Sequence, residues 1–179
     1  MILEFETGLV KHCHKFDDRI RKIEFTDTFD TSYNLWKVAE YPICEISRQL
    51  AEDMLWPKSF DYEDDKMAEK LFVAKINYRV RLWYEKEAYA ITQLQRFRLY
   101  QERNPYIIFP FDGCEMRIGM RFEKIGLNVY KNGDNRQGAQ RAVEAIFESS
   151  IPFQESEDFA LIESVQININ KELEIKVIK

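Results

Sequence analysis

The clearest pattern along the chain is a strict alternation of apolar and polar side chains in residues 75–87, "KINYRVRLWYEKE". Successive side chains of a β-strand point to opposite faces, so this alternation predicts a strand with one face in the core. The apolar face comprises Ile76, Tyr78, Val80, Leu82 and Tyr84. The opposite face carries Arg79 and Arg81, and the pattern leaves open whether they meet water, nucleic acid, a substrate or another protein.

Two segments carry helical periodicity instead. In residues 2–25, apolar side chains recur at spacings of three and four, which predicts an opening helix. The turn formers of "TDTFDTS", residues 26–32, are expected to end it. Residues 85–103 predict a second helix, and Pro105 stops it because the residue before a proline avoids the helical region. The stripe of this helix is expected to contain Ala88, Ile91, Leu94 (or Gln95) and Arg98, with Phe97 and Leu99 extending its apolar side.

The remaining apolar segments predict strands. Residues 33–47 form one strand, and Pro42 inside it indicates a sheet edge or a bulge because proline donates no hydrogen bond. "YIIFPF", residues 106–111, predicts a short buried strand, and "CEMRIGMRFE" alternates with period two. Asn132-Gly133 is a strong hairpin-turn signal. Further strands are predicted at residues 139–149, 160–170 and 173–178.

This order of elements predicts a single α+β domain over residues 1–179, with one mainly antiparallel sheet and two helices packed on one face. A length of 179 residues with 45% hydrophobic residues suits one domain with its own core. An acidic surface loop is expected near 56–70 and a hairpin near 126–140. The sheet face opposite the helices is expected to be open, because its alternation leaves one side outside the domain's own core. That face is predicted to carry Arg79, Arg81, Arg117 and Arg121.

Composition narrows the classes of function. The net charge of −5 disfavours a dedicated duplex-DNA binder but allows a local basic patch. Three dispersed cysteines, Cys13, Cys44 and Cys114, fit reduced thiols better than a secreted disulfide framework. No stretch approaches the roughly 18 apolar residues of a membrane span, so no membrane contact is expected.

Candidate catalytic and metal motifs are weak. Neighbouring helical residues point about 100° apart, so "HCH" at residues 12–14 does not close one tetrahedral site. "DYEDD", residues 61–65, lacks the glycine and final glutamate of an EF-hand loop. "ELEIK", residues 172–176, has the acid-x-Lys spacing of a nuclease but no convincing partner aspartate. The only histidines, His12 and His14, lie near no nucleophile-elbow pattern. We therefore expect no catalytic residue, no cofactor and no metal.

The order of elements resembles the tail terminator and tail-completion (neck) proteins of tailed bacteriophages. The resemblance rests on the N-terminal amphipathic helix, "NLWKVAEYPICEIS", the strand–helix–strand run "INYRVRLWYEKEAYAITQLQRFRLYQERNPYIIFPF", and the late strand "ALIESVQININ". It covers residues 34–170 and implies a non-enzymatic virion protein, made in the host cytoplasm, that forms a hexameric ring. Such a ring caps the tail tube and joins it to the head connector. The implied partners are copies of the chain, tail tube, sheath or connector proteins, and DNA passing through the lumen, with no membrane.

The charged segments suggest how copies would meet. Arginine pairs well with carboxylates across interfaces, so the four arginines above and the acidic loop are candidates for a subunit interface or the lumen. The acidic candidates are Asp61, Glu63, Asp64 and Asp65. The alternative is a nucleic-acid-associated protein or nuclease-like accessory that uses the basic sheet face. A third possibility is a small-molecule enzyme with an unrecognised site.

Overall fold

The computed structural model describes residues 1–20, 22–26, 41–58, 71–130, 140–154, 161–167 and 173–178. Its elements, in chain order, are α1 (Ile2–Phe16), β1 (Lys22–Thr26), β2 (Ile43–Lys58), β3 (Leu71–Tyr84), α2 (Glu87–Arg103), β4 (Tyr106–Phe111), β5 (Cys114–Gly119), β6 (Arg121–Tyr130), β7 (Gln140–Gln154), β8 (Leu161–Ile167) and β9 (Leu173–Ile178). Two helices and a mainly antiparallel sheet confirm the predicted α+β class.

Seven strands form one mixed sheet in the order β6-β7-β3-β2-β1-β8-β9, and β4 and β5 form a separate two-stranded sheet. Neighbouring strands of the large sheet are antiparallel except for β1 and β2, which are parallel. Strand β3 lies inside this sheet, between β2 and β7. The register places Arg81 opposite Glu45 on one side and opposite Glu144 on the other.

Both helices pack on the same face of the large sheet. Phe5 of α1 lies 5.4 Å from Tyr78 of β3, measured between ring centroids, and Phe16 lies 4.9 Å from Phe97 of α2. The apolar side chains of β3 enter this core, as their alternation predicts. The buried set is Ile76, Tyr78, Val80, Leu82 and Tyr84.

The first helix is shorter than its periodicity predicts, because α1 ends at Phe16 and a strand begins at Lys22. Asp17 has extended backbone, and its Oδ1 accepts hydrogen bonds from the backbone N–H of Arg19 at 3.2 Å and from Arg19 Nε at 2.8 Å. Such local side-chain bonds compete with helical hydrogen bonds, so the chain turns here. The prediction that "TDTFDTS" ends the helix is therefore wrong, since Thr26 already closes β1.

Several other boundaries differ from those predicted. Strand β2 begins directly after Pro42 and runs to Lys58, so the proline precedes the strand and residues 56–58 are not part of a loop. "CEMRIGMRFE" forms parts of two strands, β5 and β6, which are separated at Met120. The N–H of Met120 donates a hydrogen bond to Pro105 O at 2.9 Å instead of pairing within a strand. Strands β6 and β7 pair antiparallel, as the predicted hairpin requires. Residues 33–40, 59–70 and the Asn132-Gly133 turn lie outside the described residues.

Helix α2 ends where predicted and begins two residues later, at Glu87, but it buries a different stripe. Ile91 and Leu99, expected on its apolar side, are exposed. The buried side includes Gln101, which is accommodated because its Oε1 lies 3.0 Å from His12 Nε2 of α1. The buried residues of the helix are Ala90, Gln93, Phe97 and Gln101.

Candidate functional site

Arg79 and Arg81 do not lie on an open surface. Their side chains are buried, with Arg81 only 1% exposed. Arg81 Nη1 donates to Glu45 Oε1 at 3.1 Å and Oε2 at 3.2 Å, and Arg81 Nε lies 3.5 Å from Glu144 Oε2. The prediction that this face of β3 is open is therefore wrong. The carboxylates that meet Arg81 come from the neighbouring strands of the same sheet.

These contacts belong to a network across four adjacent strands. Glu45 Oε2 also accepts a hydrogen bond from Trp83 Nε1 at 3.1 Å. Glu144 accepts hydrogen bonds from Asn128 and, at 3.3 Å, from Lys124 Nζ. Burial raises the pKa of Glu45, and this effect is opposed by the positive charge of Arg81, the hydrogen bond from Trp83 and the charge of Arg79. With partners on both its carboxylates, the buried network has the features of a structural element rather than of a proton-transfer site.

The other two predicted arginines lie elsewhere. Arg117 is in β5, and its Nη2 lies 2.8 Å from Glu115 Oε1, in an ion pair whose side chains are 65% and 58% exposed. Arg121 is the first residue of β6 and is exposed. The predicted set of four arginines is thus divided between a buried network and the surface.

Arg117 and Arg121 line one open cleft of about 760 Å³, which lies between β5 and the sheet region formed by β3, β6 and β7. Lys75 of β3 adds a third cation, and among the described residues Glu148 is the one acidic side chain of the lining. In a chain with a net charge of −5, this is a local reversal of sign. The other lining residues are Pro105, Tyr106, Met116, Ile118, Gly119, Met120 and Ser150.

The edge of β5 forms one wall of this cleft. Residues 116–120 all line it, although successive side chains of a strand point to opposite faces. A consecutive run lines a cleft when the strand turns its edge toward it. Within the described residues, β5 pairs with β4 alone, and the carbonyl of Gly119 is fixed by Ser149 Oγ at 3.1 Å. Because Gly119 O and Met120 N–H are already bonded, to Ser149 Oγ and Pro105 O, only the residues of β5 before Gly119 have edge groups to offer to the cleft.

Strand β4 has one buried face and one exposed apolar face. Ile107 and Phe109 are buried, and α1 approaches them so closely that a Cβ on Gly8 would lie 2.8 Å from Ile107 Cγ2. Tyr106 and Ile108, which alternate with them, are 53% and 47% exposed. The prediction of a buried strand is therefore correct for only one of its faces.

The "HCH" motif does not form a metal site in the described part of the chain. His12 is buried, its Nε2 lies 3.0 Å from Gln101 Oε1, and burial lowers its pKa. Cys13 and Cys44 are buried free thiols, and burial raises the pKa of Cys44. No group of three or more His, Cys, Asp or Glu side chains among the described residues is arranged to hold a metal ion.

The acidic candidates Asp61, Glu63, Asp64 and Asp65 lie outside the described residues. Sequence reasoning missed Glu45 and Glu144 as partners of Arg81, and Lys75 and Tyr106 as lining of the cleft. A signal for the first pair exists, since "ICEIS" and "AVEAIF" each place one glutamate alone within an apolar strand.

Comparison with models of known protein families and with curated proteins found no match to this chain. Among the residues that the structure describes, no helix has the length and apolar character needed to cross a membrane.

Proposed function

We propose that the protein is a structural subunit of a phage-like tail, which assembles with copies of itself into a ring. The ring caps the tail tube and joins it to the head connector. The order of elements motivates the tail setting, because it resembles the tail terminator and tail-completion proteins. The observation that carries self-assembly is the exposed apolar face of β4.

Tyr106 and Ile108 face outward from a two-stranded sheet whose opposite face is buried against α1. Together they form a small apolar patch, and contiguous exposed apolar patches mark sites of protein interaction. Covering each of these side chains contributes about 1 kcal/mol, half of what full burial of such a residue provides. Two such residues are a modest contribution, so the contact also needs hydrogen bonds or ion pairs elsewhere.

A ring requires a contact between two different surfaces of neighbouring copies, repeated until the rotation closes. The small sheet of β4 and β5 offers one of these two surfaces, because it combines the exposed apolar face of β4 with the edge of β5. Both features are suited to pairing with another chain, the first through apolar area and the second through backbone hydrogen bonds.

The test is the mass and shape of the purified protein, from light scattering during gel filtration and from negative-stain electron microscopy. The unmodified chain is expected to form annular particles, and the variant Tyr106→Ser/Ile108→Asp is expected to be a folded monomer. Leu99→Asp is the matched control, because Leu99 is an exposed apolar residue of α2, 54% exposed, and is expected to leave the rings intact. A stable monomer for the unmodified chain at high concentration would refute the proposal.

A second candidate function is binding of single-stranded nucleic acid in the cleft. Cations beside an aromatic ring suit a phosphate backbone and stacked bases, and the cleft combines Lys75, Arg117 and Arg121 with Tyr106. Gel shifts with an oligonucleotide at increasing salt test this candidate, because phosphate contacts predict a steep loss of affinity. Because Arg79 and Arg81 are buried, they are not available to bind nucleic acid, and this candidate function depends on the cations of the cleft.

A further inference from the structure

We propose that the cleft beside β5 receives the acidic segment of residues 59–70 from a second copy of this chain. The inference rests on the proposed self-assembly and names the surfaces that meet in it. Each copy then contributes one cleft and one segment, which is the head-to-tail arrangement that a ring needs.

Charge is the first argument. The cleft has three cations, Lys75, Arg117 and Arg121, against Glu148. Arg117 is already paired with Glu115, but that ion pair is exposed on both sides and therefore contributes little. Exchange of Glu115 for a carboxylate of an incoming chain thus has a small cost.

The segment has the opposite charge and a matching apolar character. "SFDYEDDKMAEK", residues 59–70, contains five acidic and two basic residues, a net charge of −3. Phe60 and Tyr62 alternate with its first acidic residues. The cleft offers the partly buried Met116 to such rings, and methionine adapts to aromatic partners because it is flexible and polarizable.

The edge of β5 is the third argument. An extended segment binds to a strand edge through backbone hydrogen bonds, with its alternate side chains entering the flanking pockets. The lining run, residues 116–121, is six residues long, and the acidic run, residues 61–65, is five. At about 3.3 Å per residue, an extended chain of five residues reaches about 16 Å, which covers most of the roughly 20 Å of six residues.

The experiment uses two complementary variants of the full chain. The cleft variant is Arg117→Glu/Arg121→Glu, and the segment variant is Asp64→Lys/Asp65→Lys. Each alone is expected to associate on the order of 100-fold more weakly than the unmodified chain, because like charges then face each other. An equimolar mixture is expected to recover assembly, since the intact segment of the cleft variant meets the intact cleft of the segment variant, and the two reversed surfaces again carry opposite charges.

The matched control is Lys86→Glu/Arg103→Glu, which makes the same change of charge at two exposed residues that flank or end α2. It is expected to assemble like the unmodified chain. Circular dichroism checks that every variant is folded. Independently of any variant, an excess of a synthetic peptide with the sequence of residues 59–70 is expected to dissociate the assembled unmodified chain, whereas a peptide with all its acidic residues amidated is not.

The outcomes separate this inference from the proposed function. Rings that persist in both variants would overturn the inference and leave the proposed function standing, whereas a monomeric unmodified chain would overturn the proposed function itself. A mixture that stays monomeric would show that the segment does not enter a neighbour's cleft, which also overturns the inference. Loss of salt-dependent oligonucleotide binding in the cleft variant, with assembly unchanged, would assign the cleft to nucleic acid instead.

Discussion

Replacement of Arg81 by methionine is expected to destabilise the protein by about 3–5 kcal/mol, the range observed when one partner of a buried ion pair is removed. Methionine keeps much of the side-chain length, so the loss reflects charge more than volume. Glu144 keeps its hydrogen bonds from Lys124 and Asn128. Of the hydrogen bonds described for Glu45, the one from Trp83 is the one that remains. We therefore expect most of the loss of stability to arise at Glu45.

The assay is urea unfolding followed by circular dichroism, with Arg117→Met as the matched control. Arg117 also pairs with a glutamate, but both side chains of that pair are more than half exposed. Its loss should cost less than about 1 kcal/mol. Combining Arg81→Met with Glu45→Gln should recover about 1–2 kcal/mol, because the unpaired charge is removed together with its partner.

The cost should also depend on pH. Burial raises the pKa of Glu45 above its ordinary value of 4.5, so the folded protein binds this proton more readily than the unfolded chain. The resulting stability is full below pH 4.5 and is lost as the pH rises through the pKa of the folded state. Without Arg81 the pKa of Glu45 rises further. The loss of unfolding free energy caused by Arg81→Met should therefore be smaller at about pH 5 than at about pH 8. Equal deficits at both pH values, or a cost no larger than that of Arg117→Met, would refute this reasoning.

Two further variants test the core in the same unfolding assay. Gly8→Ala should destabilise by about 1–3 kcal/mol, since its Cβ would lie 2.8 Å from Ile107 Cγ2, whereas Gly126→Ala, with its nearest contact at 3.6 Å, should not show this overpacking cost. A gain in stability for Gly8→Ala, from alanine's better helix propensity alone, would contradict the close packing. Burial lowers the pKa of His12, so the stability that the neutral imidazole contributes is lost as the pH falls below 6.5. His12→Gln has no titrating group at this position and should therefore lose less stability at acidic pH. The same dependence of unfolding free energy on pH in the variant and the unmodified chain would contradict this.

Alternation along β3 predicted a strand through residues 75–84 and its apolar face, because the period of a strand is a local property of the sequence; the start of the strand at Leu71 was not predicted. The fate of its polar face was not predictable in the same way. A polar strand face is normally assigned to solvent, but here neighbouring strands place Glu45 and Glu144 beside Arg81. Which strands become neighbours depends on contacts between residues far apart in the chain, and periodicity carries no information about them.

The same limit explains the errors at the first helix and at α2. The apolar positions of residues 22–26 fit a helix as well as a strand. These residues form a strand because they pair with β2 on one side and with β8 on the other. In α2, a buried Gln101 became acceptable only because His12 of another helix lies within hydrogen-bonding distance. For the candidate site, the sequence indicated Arg117 and Arg121, while the cleft that joins them with Lys75 requires the three-dimensional arrangement.

The position of Arg81 between two glutamates also specifies strand alignment. A slip of β3 by one residue against either neighbour would turn its charged side chains toward the helices and its apolar ones away from them. Apolar contacts tolerate small errors of fit, but a guanidinium moved away from both carboxylates separates the buried charges of Arg81 and Glu45 from each other. We therefore expect the three residues to act as a register key, which penalises misaligned sheets during folding more strongly than it strengthens the correct one.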